Sequence, residues 1–185
     1  MVMKVLVITG SPHKKGTSAL MAEKFIEGAT KMDVQINRFD SAFANVHPCI
    51  GCDACQCGKS KCVFEDDMMS LYPKIQDADI IVYISPLYYH NISAQMKTVI
   101  DRYHGIDDLI RNTPKKVLSI ITAAYPEDWV FDGVKAVIKT TTRYLGWKDC
   151  GGIYAFNCNK REDIEKTTYP QTAFELGLHI REIDK

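Results

Sequence analysis

The chain lacks an apolar run long enough to cross a membrane, and it has no excess of charge of either sign. No stretch approaches the ~20 apolar residues of a membrane helix, and residues 1–10 lack the small-residue cleavage site of a secretory signal. Lysine plus arginine number 23, as do aspartate plus glutamate. We therefore expect neither a nucleic acid nor a membrane as partner.

Two common nucleotide-binding motifs are also missing. The sequence contains no Gly-x-Gly-x-x-Gly, which argues against the dinucleotide fingerprint, and no Gly-Lys-Ser/Thr to close a P-loop. It has no internal repeat, linker or low-complexity segment, so we expect a single domain over residues 1–185.

Cysteine is present, but in a pattern that does not suit a disulfide framework. Of seven cysteines, five are crowded into residues 49–62. An odd number bunched this tightly favours a metal or redox cluster in a reducing compartment. We therefore expect the protein to be cytoplasmic.

The rest of the sequence alternates between strand and helix patterns. Helical stripes are predicted within residues 18–29, 93–103, 134–145 and 170–180, with Ser93 as an N-cap and Gly146 as a C-cap. Short β-favouring runs predict five strands: Val5 to Thr9, Val34 to Phe39, Ile80 to Ile84, Val117 to Ile121 and Ile153 to Phe156. This alternation predicts an α/β protein, a doubly wound five-stranded parallel sheet with helices on both faces.

Such a sheet binds its ligand at the carboxyl ends of the strands. Residues 10–18, 85–93 and 122–128 follow three of the predicted strands, and the cysteine segment follows a fourth. All four segments should therefore meet at one edge of the sheet, which makes them the candidate site.

The first of these segments is rich in hydroxyl groups and small residues, and it leads straight into a helix. Free backbone amides and hydroxyls at such a place hold a phosphate well. The alternative is a polar loop in which Thr17 or Ser18 only caps the helix.

The second segment carries Tyr88 and Tyr89 after a proline at a strand end. An exposed loop of this composition suits stacking against a flat conjugated ring. The alternative is that the two tyrosines cover the core or a dimer interface.

The cysteine segment has the spacing Cys-x2-Cys-x2-Cys-x6-Cys, formed by Cys49, Cys52, Cys55 and Cys62. Thiolates at these intervals can converge on a [4Fe–4S] cluster, with a tetrahedral zinc site as the rival. Cys57 could replace Cys55 or Cys62 as a ligand, and a third reading is a loop of reduced thiols without a metal.

Together these motifs resemble the NAD(P)H-dependent FMN reductase and iron–sulfur flavoprotein family. The resemblance lies in Gly10-Ser11-Pro12 with Gly16-Thr17-Ser18, in Asp66-Asp67-Met68 after the cysteines, and in Ser85-Pro86-Leu87-Tyr88-Tyr89 with Ser93-Ala94-Gln95-Met96-Lys97. It implies a flavodoxin-like fold, FMN as cofactor, and a homodimer or homotetramer.

The resemblance also implies site residues. The FMN phosphate is expected at Ser11, His13, Thr17 and Ser18, and the flavin ring at Pro86, Leu87, Tyr88, Tyr89 and Asn91, with Thr122 in a third loop. The family commonly has arginine at the position of His13 and asparagine at that of Thr17.

The implied function is an FMN-dependent oxidoreductase that moves reducing equivalents from NAD(P)H to a small acceptor, a quinone, a flavin or similar. No catalytic side chain is expected, because FMN carries the chemistry. The alternative is a non-catalytic electron-transfer flavoprotein with FMN and a [4Fe–4S] cluster, whose acceptor is a protein. In either case Tyr88, Tyr89, Trp129 and Phe131 are expected to supply apolar surface that an oligomer buries.

Overall fold

A parallel five-stranded sheet forms the centre of the protein in a computed structural model that describes residues 2–56 and 62–183. Its strand order is β2-β1-β3-β4-β5. The strands are β1 (Met3–Thr9), β2 (Val34–Asp40), β3 (Ile80–Pro86), β4 (Lys116–Thr122) and β5 (Lys148–Ala155). The chain winds from β1 out to β2 and then returns to β3, so the switch point lies between β1 and β3. The predicted flavodoxin-like fold is confirmed.

Helices cover both faces of this sheet. They are α1 (Thr17–Ala29), α2 (Met68–Asp77), α3 (Ala94–Asp101), α4 (Asp107–Ile110), α5 (Asp132–Leu145), α6 (Arg161–Glu165) and α7 (Tyr169–Leu178). The sequence patterns did not reveal α2, which contains Pro73, nor the short helices α4 and α6. In the described part of the chain, no helix has the length and apolarity needed to cross a membrane.

Strand β1 illustrates why the sheet is buried on both sides. Leu6 and Ile8 pack into a core beneath α2, α3 and α5. Val5 and Val7, which alternate with them, pack into a second core beneath α1 and α7. A continuous apolar run is therefore what this strand needs, because successive side chains point to opposite faces.

The C-terminal helix α7 is held against α1 by a close backbone crossing. A Cβ atom on Gly28 would lie 2.0 Å from the carbonyl oxygen of Phe174, and one on Gly177 would lie 2.1 Å from that of Phe25. Any side chain at either glycine would therefore push the two helices apart. This crossing fixes α7 beside α1, the helix that follows the first segment of the candidate site.

Two predicted helix boundaries are confirmed by their hydrogen bonds and dihedral angles. The Ser93 hydroxyl accepts a hydrogen bond from the Met96 N–H at 3.3 Å and so caps α3. Gly146 ends α5 with φ of 69°, a left-handed conformation that favours glycine. Gly146 lies two residues before β5 begins. The Ser93 N–H donates to the Ser85 hydroxyl of β3 at 3.0 Å, which helps to fix the turn after β3.

Candidate functional site

A pocket with a volume of about 740 Å³ opens at the carboxyl edge of the sheet. Its walls are residues 11–17 after β1, residues 86–88 after β3, Thr122 and Ala124 at the end of β4, and residues 158–162 after β5. A volume of this size lies in the range of ligand and cofactor sites. Four strand ends thus contribute to one cavity.

Seven of the ten residues predicted to contact FMN line this cavity. They are Ser11, His13, Thr17, Pro86, Leu87, Tyr88 and Thr122. The other three lie beside the cavity without lining it.

Ser18 is one of these three, because its side chain points into the protein. It is buried, and its hydroxyl lies 2.8 Å from the Thr122 hydroxyl. The Thr17 hydroxyl lies 3.0 Å from the same atom. Thr122 therefore ties the start of α1 to the end of β4, which holds two walls of the cavity at a fixed separation.

Tyr89 and Asn91 belong to a tight turn that follows β3. Tyr88 and Asn91 exchange backbone hydrogen bonds of 2.9 and 3.1 Å, and the two residues between them have positive φ, 45° at Tyr89 and 63° at His90. Non-glycine residues rarely adopt this conformation, and such strain is typical of functional sites. The Tyr89 side chain is fully exposed as a result.

A group of aromatic rings continues from this turn to residues 125–129. His90 stacks on Trp129 with ring centroids 5.4 Å apart, and Tyr125 meets Trp129 edge to face at 5.7 Å. Tyr125 and Trp129 are each about half exposed. Phe131, expected at this surface, is instead completely buried in the core beneath α5, so that part of the expectation was wrong.

Sequence reasoning missed the wall formed by residues 158–162. Arg161 in this wall is held by Glu23 of α1 at 3.0 Å and by Glu165 at 2.9 Å. The neighbouring Lys160 faces the same cavity as Lys14 and Lys15 of the first loop. The signal that could have found them is their position directly after the fifth strand, since all strands end at one edge.

The cysteine segment is a loop whose two ends are joined by Asp66 and Asp67. Asp66 accepts a hydrogen bond from the His47 N–H at 3.0 Å, and Asp67 accepts one from the Asn45 N–H at 2.7 Å. Asp67 also donates its own N–H to the Asn45 carbonyl at 3.0 Å. The Asp-Asp pair therefore closes the neck of the loop before α2 begins.

The four predicted ligand cysteines line one small pocket beneath this loop, together with Arg102 and His104. Burial raises the pKa of the Cys55 thiol, and the charges of Cys62 and Cys49 raise it further, while a hydrogen bond from Gln56 opposes them. Cys57 lies outside the described residues.

The described side chains of this pocket are not arranged as a metal-binding group. Within residues 2–56 and 62–183, no three His, Cys, Asp or Glu side chains are grouped so as to hold a metal ion. The pocket encloses about 20 Å³, which is room for about one water. As a set of donors, four thiols fit an iron–sulfur cluster or zinc.

Comparison with known proteins connects these features. The sequence model of the NADPH-dependent FMN reductase family matches residues 3–131. An iron–sulfur flavoprotein from Archaeoglobus fulgidus is 34% identical over 100 residues, which are 54% of this chain and 45% of that protein. One from Methanosarcina thermophila is 33% identical over 100 residues, 54% of this chain and 52% of that protein. The chain thus spans about half the length of the curated relatives it matches.

Solved structures share the fold over nearly the whole chain. An NAD(P)H:quinone oxidoreductase from Methanothermobacter marburgensis superposes with a TM-score of 0.74 at 18% identity, covering 97% of this chain and 96% of that one. At this identity, the likeness shows a common fold. It includes residues 132–183, which the family's sequence model leaves unmatched.

Proposed function

The chain belongs to the NADPH-dependent FMN reductase family, and from this premise we propose that it is an FMN-dependent oxidoreductase. In this proposal it takes reducing equivalents from NAD(P)H and passes them through bound FMN to a small acceptor, such as a quinone or a flavin. The single observation that carries the proposal is the cavity of about 740 Å³ at the carboxyl edge, whose two ends differ in chemistry.

One end of this cavity fits a phosphate. Lys14, Lys15 and Lys160 line the cavity together with Ser11 and Thr17. Hydrogen bonds from charged donors to phosphate oxygens are stronger than those between neutral groups. This end would therefore hold the FMN phosphate.

The other end fits a flat, partly apolar ring. Pro86, Leu87 and Tyr88 form its wall, and the Leu87 N–H donates to the Thr122 carbonyl at 2.8 Å. Because the turn is pinned to β4 in this way, it would keep the ring in one orientation. Thr122 connects the two ends of the cavity. Its hydroxyl lies next to those of Thr17 and Ser18, and its carbonyl accepts the hydrogen bond from Leu87.

FMN, when bound, supplies a ring that accepts a hydride and releases electrons singly or in pairs. The side chains of this chain then have the tasks of binding, orientation and exclusion of water. No described residue need act as an acid, base or nucleophile for that role.

Steady-state oxidation of NADH and of NADPH by the FMN-loaded full chain tests this proposal. A panel of acceptors, namely a soluble quinone, free FMN and an azo dye, is supplied with each nucleotide. We expect nucleotide consumption that requires protein, FMN and acceptor together. Consumption no faster than with free FMN alone, for both nucleotides and all acceptors, would refute it.

A second candidate function is electron transfer through FMN and a [4Fe–4S] cluster, without catalysis. It is favoured by the four thiols that line one pocket and by the relatives named iron–sulfur flavoproteins. Iron and sulfide analysis after anaerobic purification separates it from the first: about four irons per chain is expected for this candidate, and iron near zero would exclude it.

We also propose that the FMN site is completed by a second copy of the chain, in a homodimer or homotetramer. Tyr89, Tyr125 and Trp129 present exposed aromatic surface beside the cavity, and such surface is typical of interfaces. Sedimentation at micromolar concentration should give a dimer or tetramer. A monomer with full reductase activity would contradict this. The crowding of five cysteines into residues 49–62 supports a reducing compartment such as the cytoplasm.

A further inference from the structure

Arg102 is a cation buried between the cysteine loop and the core. Its side chain is 1% exposed, as is that of Asp66, and the two form a salt bridge with Nη1 to Oδ2 at 2.6 Å and Nη2 to Oδ1 at 3.2 Å. Nη1 also donates to the His47 carbonyl at 2.8 Å. The guanidinium therefore fastens both ends of the loop.

One N–H donor of the Arg102 guanidinium lacks an acceptor among the described residues. Among the described residues, the buried Nε–H of Arg102 has no hydrogen-bond partner. A buried donor without an acceptor is destabilising, so its persistence suggests an acceptor that arrives later. The guanidinium is planar, and Asp66 occupies the end formed by the two Nη atoms, which leaves the Nε edge for another group.

The side chains around Arg102 indicate what that group is. Arg102 lines the same pocket as Cys49, Cys52, Cys55 and Cys62. Sulfur is therefore the acceptor type that the pocket offers in quantity.

We propose that Arg102 is a positioning residue for an iron–sulfur cluster on these four cysteines, in which its Nε–H donates to a cluster or cysteine sulfur. The inference rests on the second candidate function. A cluster held by four thiolates is anionic, and it gains one further negative charge when it takes up an electron. A hydrogen bond to sulfur and a nearby cation both stabilise the reduced form more than the oxidised form, so they raise the reduction potential.

The Asp66 carboxylate does not cancel this effect. Asp66 forms its bidentate contact with the two Nη atoms of Arg102. This contact compensates for the cost of burying the charged guanidinium. The Nε–H takes no part in that contact and remains without an acceptor among the described residues. Arg102 would thus have two roles. It closes the cysteine loop, and it would stabilise the reduced form of a cluster bound there.

The first test compares the full chain with the variants Arg102→Lys and Arg111→Lys after anaerobic reconstitution with iron and sulfide. Arg111 is the control, since it also pairs with an aspartate, Asp107, but its side chain is 41% exposed and does not line the cysteine pocket. The cluster's midpoint potential is followed by electron paramagnetic resonance during a redox titration.

At the midpoint of the parent protein, we expect the reduced-to-oxidised ratio of Arg102→Lys to fall about tenfold, a shift of about 59 mV for a one-electron couple. Arg111→Lys should match the parent. An unchanged midpoint in an Arg102→Lys protein that retains its cluster would overturn the inference.

A second measurement needs no variant, because Arg102→Lys could fail to fold. The parent protein is labelled with ¹⁵N-arginine, reduced, and examined by pulsed electron paramagnetic resonance. We expect a hyperfine coupling between the cluster and one arginine nitrogen. A reduced cluster without that coupling would overturn the inference, and so would a parent protein that takes up no iron. FMN content is measured in the same samples, so that loss of the cluster alone leaves the proposed flavin function standing.

Discussion

Replacing Lys160 by glutamine should weaken the binding of FMN but not that of riboflavin, which lacks the phosphate. Lys160 lines the cavity together with Lys14 and Lys15, and it follows β5, outside the residues that match the family. Its backbone is fixed, since its N–H donates to Asp163 at 2.8 Å and the next residue, Arg161, is anchored to Glu23. Lys160 therefore lines the cavity from a fixed point of the backbone.

The expected change in FMN affinity depends on how exposed the Lys160 side chain is. Lys160 is exposed, so its attraction for a phosphate is reduced by water. Two unit charges at about 4 Å in water attract by about 1 kcal/mol, and exposed ion pairs measure about 0.2–1 kcal/mol. With a phosphate dianion, about 1 kcal/mol is a reasonable loss, which corresponds to about a fivefold rise in the Kd for FMN.

Quenching of flavin fluorescence on binding provides the assay, with Lys166→Gln as the matched control. Lys166 is also exposed but does not line the cavity. The difference between Lys160→Gln and the parent should shrink as salt rises from about 0.01 to 1 M, because the Debye length falls from about 30 to 3 Å. Unchanged FMN affinity, or an equal loss for riboflavin, would refute the assignment of this end to the phosphate.

Three further substitutions test other parts of the account. Ser11→Ala should raise the Kd for FMN several-fold in the same titration, because Ser11 lines the cavity and its hydroxyl is lost as a donor to the phosphate; an unchanged Kd would place the phosphate elsewhere. Ser18→Ala should instead lower the free energy of unfolding in urea by about 1 kcal/mol, since it removes a buried hydrogen bond to Thr122. A larger effect on FMN affinity than that of Ser11→Ala would contradict this reading. Asp66→Asn should cost about 3–5 kcal/mol of stability at neutral pH by leaving Arg102 unpaired, and a loss below about 1 kcal/mol would contradict it.

The stability that Asp66 contributes should depend on pH in a defined direction. Burial alone would raise the pKa of this carboxyl, but hydrogen bonds from Arg102, His47 and Met68 outweigh burial and lower the pKa below its ordinary value. The contribution is therefore fully present above the unfolded-state pKa of about 3.9, and it is lost as pH falls through the lower folded-state value. Urea midpoints of the parent and Asp66→Asn should converge in strong acid, and a constant gap would contradict this assignment.

The sheet could be predicted from the sequence because its strands are buried on both faces. Runs such as Ile80 to Ile84 have no polar alternation to confuse with a helix, and Gly146 and Ser93 mark helix ends through local chemistry that needs no distant partner. The three strand-end segments also met at one edge, as parallel topology requires.

Other features depend on contacts between distant parts of the chain, so no local pattern reveals them. Whether Ser18 faces a ligand or Thr122 is decided across 104 residues. Phe131 was expected at the surface, but the short helical turn that contains it directs its ring inward. The role of residues 158–162 depends on the anchoring of α6 to α1, and that of Arg102 on a salt bridge spanning 36 residues.

The central claim is that the cavity at the carboxyl edge holds FMN. Heat release of flavin from the purified full chain, followed by chromatography, tests it most directly. The account predicts FMN at about one equivalent per chain, either as purified or after incubation with FMN and removal of the excess. A flavin that is mostly FAD, or a protein that retains no flavin after incubation with FMN, would contradict it.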